Sequence, residues 1–134
     1  MELIVVDTSA LIAMLQNEPE RAAFAASIAR SERRVVSAVS LFEANMVAFS
    51  RRGHAGVAAL DELVNDTELE IIPFDDAHRR LAQQAFQTYG KGIHSQARLN
   101  LGDCAAYALA KGMNAPLLFK GNDFAATDII SAQT

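Results

Sequence analysis

Near the start of the chain four apolar residues in succession, Leu3-Ile4-Val5-Val6, run directly into Asp7. A short β-branched run without apolar/polar alternation has no wet face. It predicts a strand covered on both sides, as in a parallel sheet held between two layers of helices. The pattern that follows agrees. Thr8 and Ser9 offer caps for a helix through Ala10-Leu11-Ile12-Ala13-Met14-Leu15. Pro19 can open a second helix running from Arg21 to Ile28, Val35-Val36 reads as a second strand, and Ser37 to Arg52 reads as a helix. Gly53 punctuates before another helix over Val57 to Val64. Leu69 to Ile72 is a third strand closed by Pro73, and Asp75 can cap a helix from Ala77 to Tyr89. Gly90-Lys91-Gly92 opens a polar loop reaching Asn100, before a helix from Asp103 to Lys111. Pro116-Leu117-Leu118-Phe119 is a fourth strand and Ile129-Ile130 a fifth. Strands alternating with helices specify an α/β fold of three layers, with a mostly parallel sheet of four to five short strands. Ligands of such sheets bind beyond the carboxyl ends of the strands, so the residues after each strand are the first candidates.

The length of 134 residues, 51% of them hydrophobic, fits one core and a single domain over residues 1–134. The lone Cys104 permits no intrachain disulfide and no thiolate zinc cluster, which fits a reducing compartment. No stretch of about 18 uninterrupted apolar residues exists to span a membrane. The first apolar run stops at Asp7, too early for a secretory leader, so a cytoplasmic location is expected. The net charge of −4 argues, at first sight, against a nucleic-acid partner.

The acids change that view. Asp7 follows the first strand, and Asp123 follows the fourth after the turn Lys120-Gly121-Asn122. Taken alone, Asp7 is equally a helix cap, and an aspartate in a Gly-Asn-Asp turn such as Asp123 is more often a turn residue than a catalytic one. Glu43 is the only charged residue between Ser37 and Ser50, in a segment whose apolar character predicts a largely buried helix. A solvated face would instead have to hold Glu43 with Ser40, Val47 and Ser50. Asp103 is the only acid between Asp76 and Asp123 and also suits the first turn of a helix. The conjunction of two isolated acids in apolar helices with two at strand ends points to one cluster. Close carboxylates repel by roughly 4 kcal/mol per pair at an effective dielectric of about 20. All-oxygen ligands of this kind suit Mg²⁺ or Mn²⁺, and a metal with open positions is what phosphodiester hydrolysis needs.

Four segments carry a resemblance: Val6-Asp7-Thr8-Ser9-Ala10-Leu11, Ser37-Ala38-Val39-Ser40-Leu41-Phe42-Glu43, His94 to Lys111 (HSQARLNLGDCAAYALAK) and Pro116 to Ile129 (PLLFKGNDFAATDI). With them the chain resembles the PIN-domain ribonucleases, and more closely the VapC-type toxins of bacterial type II toxin–antitoxin pairs. The resemblance implies a four-acid site of Asp7, Glu43, Asp103 and Asp123, with Asp7 and Asp103 as direct ligands of Mg²⁺, for which Mn²⁺ can substitute. Thr8 and Asn122 are candidates for orienting carboxylates or water, and Asp128 for support. It further implies an endoribonuclease, a VapB-like antitoxin that covers the site, a homodimer and a toxin–antitoxin hetero-oligomer. Lys91, His94, Arg98 and Lys120 flank the acids in sequence and are candidates for holding the RNA backbone. Arg33-Arg34, Arg51-Arg52 and Arg79-Arg80 read as solvated element ends.

Rival chemistries find less support. Cys104 sits among alanines as a small core residue, and His54, His78 and His94 have no ligand spacing. A phosphoacceptor receiver domain would need an acidic pair after the first strand, which Asp7 lacks. A non-catalytic PIN-like RNA- or protein-binding module is the other alternative, against which the four intact acids count. Setting those four aside leaves 12 acidic against 12 basic residues, so the acidic balance does not exclude RNA.

Overall fold

A computed structural model describes residues 2–133. Its elements, in chain order, are β1 (Leu3–Val6), α1 (Thr8–Leu15), α2 (Arg21–Arg30), β2 (Arg33–Ser37), α3 (Ala38–Asp66), β3 (Glu70–Ile72), α4 (Asp76–Tyr89), α5 (Leu101–Gly112) and β4 (Leu117–Leu118). The strands form one sheet in the order β3-β2-β1-β4, every pairing parallel. The apolar run therefore lies inside the sheet, as its composition demands. Its side chains alternate: Ile4 and Val6 enter a core with α1, α2 and α3, while Val5 enters a second core with α4 and α5. All three are fully buried. The predicted three-layer α/β architecture is observed.

The strand order has a functional consequence. The chain steps outward from β1 to β2 to β3, then returns to add β4 on the other side of β1. That reversal leaves a crevice at the carboxyl ends of β1 and β4, the switch point where open α/β sheets place ligands. Asp7 is the first residue beyond β1.

Several boundaries differ from the sequence reading. α5 begins at Leu101, earlier than expected, because Asn100 and not Asp103 caps it. Ile129-Ile130 does not form a fifth strand. Leu117 instead makes a single parallel bridge to Ser131, fixed by hydrogen bonds of 2.9 Å with Ile130 and Ala132. The break expected at Gly53 is observed: α3 is two helical stretches joined across a kink there, where φ of 60° and ψ of −146° suit only glycine.

The expectation that the first half of α3 is largely buried requires correction. Its core-facing stripe is Ser40, Ala44 and Ala48, all small and buried. The large residues point outward: Phe42 is 64% exposed, Met46 54% and Phe49 51%. Ser40 is not on a solvated face with Glu43, as its side chain is fully buried.

Candidate active site

Each of the four acids is delivered by a different element. Asp7 is the N-cap of α1, with extended backbone, and its Oδ2 accepts from the Ser9 amide at 3.1 Å and the Ser9 hydroxyl at 2.6 Å. Glu43 stands in the second turn of α3, which follows directly from β2 next to β1. Asp103 lies in the first turn of α5 and forms a reciprocal capping box with Asn100: its Oδ2 accepts from the Asn100 amide at 3.1 Å, and its own amide donates to Asn100 Oδ1 at 2.9 Å. Asp123 is exposed in the turn after β4. So Asp7 does cap a helix and Asp103 does serve a first turn, as their ordinary roles require.

Those roles do not account for their surroundings. A capping carboxylate at a surface gains from helix dipole and hydrogen bonds, which hold its pKa down. Asp7 is 3% exposed, and burial pushes it up from 3.8 to about 6, with the Glu43 charge adding to the rise. Asp103 is pushed up to about 7, first by burial and then by the charges of Asp7, Asp123 and Glu43. All four candidates therefore meet electrostatically at Asp103. Among the described residues, no lysine or arginine forms an ion pair with Asp7, Glu43, Asp103 or Asp123.

This donor set suits a hard divalent cation. Among the described residues, no three histidine, cysteine, aspartate or glutamate side chains converge into a ready cage. Mg²⁺ itself keeps several waters and takes only one or two protein carboxylates. Asp103 leaves Oδ1 without a hydrogen-bond partner among the described residues, while Oδ2 serves the cap.

Other candidates are placed differently. The Thr8 hydroxyl donates to the Ser40 carbonyl at 2.8 Å, tying α1 to α3 rather than orienting a carboxylate. Its expected role belongs to Ser9, which grips Asp7 and whose Oγ accepts from the Lys120 amide at 2.9 Å. The Asp-Thr-Ser spacing carried that signal, because a residue two beyond an N-cap presents its amide, and here its hydroxyl, to the capping side chain. Asn122 is exposed, and its carbonyl accepts from Ala125 in the turn. Asp128 stands apart from the acids. It accepts from Tyr107 Oη at 2.7 Å and Lys111 Nζ at 2.9 Å, bracing the later turns of α5.

The basic candidates divide. Lys120 Nζ is drawn to Glu18 at 2.5 Å and Glu20 at 3.4 Å, so its charge is spent within the chain. His94 Nδ1 accepts from the amides of Gln96 and Ala97, at 3.1 and 2.9 Å, which makes the ring a brace for its loop. Lys91 and Arg98 are exposed and form no ion pair among the described residues. Cys104 is buried, and burial raises its thiol to about 11, as befits an inert core residue.

With that geometry established, residues 4–130 match the PIN domain. The chain is 42% identical over 126 residues to Ribonuclease VapC28 of Mycobacterium tuberculosis, covering 94% of this chain and 95% of that protein. The chain belongs to the PIN-domain family, in its VapC ribonuclease branch. Solved structures of this branch share the fold. The crystal structure of Mycobacterium tuberculosis VapC20, described as a sarcin-ricin loop cleaving toxin, superposes with a TM-score of 0.77 over 98% of this chain and 99% of that one, at 16% identity. DNA-bound VapBC from Salmonella typhimurium gives a TM-score of 0.72 over 98% and 96%, at 19% identity. Ribonucleases of this family depend on a metal ion. No described helix is long and apolar enough to cross a membrane.

Proposed function

We propose that this PIN-domain protein is a Mg²⁺-dependent endoribonuclease, with Mn²⁺ able to substitute, and that it acts in the cytoplasm as the toxin of a VapBC-type pair. The observation that supports the reading is the buried Asp103, raised by the charges of Asp7, Asp123 and Glu43, beside a buried Asp7 at the carboxyl end of β1. The single domain over residues 1–134 holds the whole of it.

Asp7 and Asp103 are the residues that would hold the metal. When bound, the ion supplies charge compensation and an activated water for in-line attack on phosphorus. Ser9 fixes the Asp7 carboxylate by two hydrogen bonds from one residue, so the ligand needs little reorganisation. The Asn100 capping box does the same for Asp103. Glu43 and Asp123 complete the negative wall and orient water around it. Lys91 and Arg98, exposed and in no ion pair among the described residues, are the residues proposed to hold the RNA backbone. His94 supports them by shaping their loop.

The exposed apolar residues favour protein partners. Phe42, Met46 and Phe49 line one side of α3, and Leu101 at the start of α5 is 84% exposed. Leu101 also borders an apolar groove of about 420 Å³ with Val39, Phe74, Phe86 and Cys104. These surfaces fit a homodimer and a VapB-like antitoxin that covers the site. The function is tested by inducing the protein in a host without its antitoxin and mapping new RNA 5′ ends. Growth arrest with new ends at discrete sites, both abolished by Asp7→Asn, is expected. Unimpaired growth while folded protein accumulates would contradict it.

A further inference from the structure

Gly102 lies between the exposed Leu101 and Asp103, in the first turn of α5. Its φ is not in the left-handed region, so the backbone does not call for glycine there. Helix propensity argues against glycine, which is less favourable than alanine inside a helix. Space explains it. A Cβ built on Gly102 would stand 2.7 Å from Glu43 Cδ and 2.8 Å from Oε2, and closer still to Oε1. The Glu43 carboxylate thus rests on the bare Cα of the residue beside Asp103.

We propose that Gly102 is a positioning residue, a seat that lets the Glu43 carboxylate approach Asp103. This rests on the four-acid metal site described above. The colliding atoms are the far end of a flexible side chain, not backbone. Alanine at position 102 would therefore be accommodated by swinging Glu43 aside, and what is lost is the position of the carboxylate. The fold keeps its helix; the site loses one wall. Glu43 reaches α5 from α3, so the seat also couples the carboxylates carried by two elements that the sequence separates widely.

The test is a double-mutant cycle of Gly102→Ala and Glu43→Ala, read by Mn²⁺ binding through the electron paramagnetic resonance of free Mn²⁺, by metal-dependent RNA cleavage, and by metal-free melting temperature. In the wild-type background Gly102→Ala should weaken Mn²⁺ binding roughly 10-fold or more, as loss of an orienting contact does at metal sites. Its metal-free melting temperature should not fall. In the Glu43→Ala background the same substitution should leave Mn²⁺ binding within about 2-fold, since no carboxylate remains to be displaced. An equal loss in both backgrounds would overturn the proposal, as would wild-type Mn²⁺ binding in Gly102→Ala. Unfolding by Gly102→Ala with Ala at 43 as well as Glu would overturn it too, by assigning the glycine to the helix itself. Wild-type protein that neither binds Mn²⁺ nor cleaves RNA would sink the metal site and the seat together, an outcome distinct from failure of the seat alone.

Discussion

Replacing Asp7 with asparagine should stabilise the metal-free protein while abolishing its chemistry. Burial raises the Asp7 carboxyl from 3.8 to about 6. That rise means the ionised form costs the folded state roughly 3 kcal/mol at neutral pH. Asparagine keeps an oxygen for Ser9 to bond but carries no charge, so it removes that cost. The two Ser9 hydrogen bonds favour the charged acceptor, and the rise to about 6 is already net of them. The net gain is about 3 kcal/mol, or roughly 10 °C in Tm for a chain of this size. Its size depends on pH. Between 3.8 and about 6 the folded wild type holds a proton on Asp7 that the unfolded chain has released. Wild-type stability therefore falls as pH rises through that window, and Asp103 extends the fall to about 7. The variant lacks the Asp7 contribution. Its advantage should be absent near pH 4, grow through the window and level off by about pH 7. Differential scanning calorimetry in EDTA from pH 4 to 8.5 measures this directly. A variant less stable than wild type at pH 8, or an advantage independent of pH, would refute the account of Asp7 as a buried carboxylate. Adding Mn²⁺ should reverse the ranking, because only wild type gains binding energy from the metal.

Other outcomes follow from individual contacts. Ser9→Ala removes the hydroxyl bond to Asp7 and the acceptor for the Lys120 amide, and should reduce RNA cleavage roughly 10- to 100-fold in a fixed-substrate assay. Gly53→Ala places a side chain where φ is 60° and ψ −146°; chemical denaturation should show a loss of about 1–3 kcal/mol, with specific activity of the folded protein unchanged. Lys91→Ala with Arg98→Ala should weaken RNA binding and flatten its dependence on salt by about 2 in the log–log slope, without altering Mn²⁺ affinity.

Much of this site was legible because two kinds of signal coincided. The β-branched run before Asp7 could only be an interior strand, and an interior strand of a parallel sheet delivers its next residue to the ligand crevice. The isolation of Glu43 and Asp103 in apolar helical patterns marked them as well. What stayed hidden depended on tertiary contacts. The outward aim of Phe42, Met46 and Phe49 cannot be read from their apolarity, because α3 meets the core through its small residues. The pairing of Lys120 with Glu18 and Glu20 joins segments about a hundred residues apart, so proximity to Asp123 in sequence pointed the wrong way. Asp128 likewise looked like part of the site from its neighbours but is held by Tyr107 and Lys111 further along α5. Ile129-Ile130 has strand composition, yet among the described residues the pairing there is a single bridge between Leu117 and Ser131.

The central claim is that the acid cluster is a metal-dependent nuclease centre with Asp103 at its focus. It is tested most directly by incubating purified, antitoxin-free protein with RNA over a Mn²⁺ titration, wild type beside Asp103→Asn. The account predicts cleavage by wild type that rises with Mn²⁺ and stops with EDTA, and a loss of at least about 100-fold in the variant. Cleavage that persists in EDTA, or that survives Asp103→Asn undiminished, would contradict it.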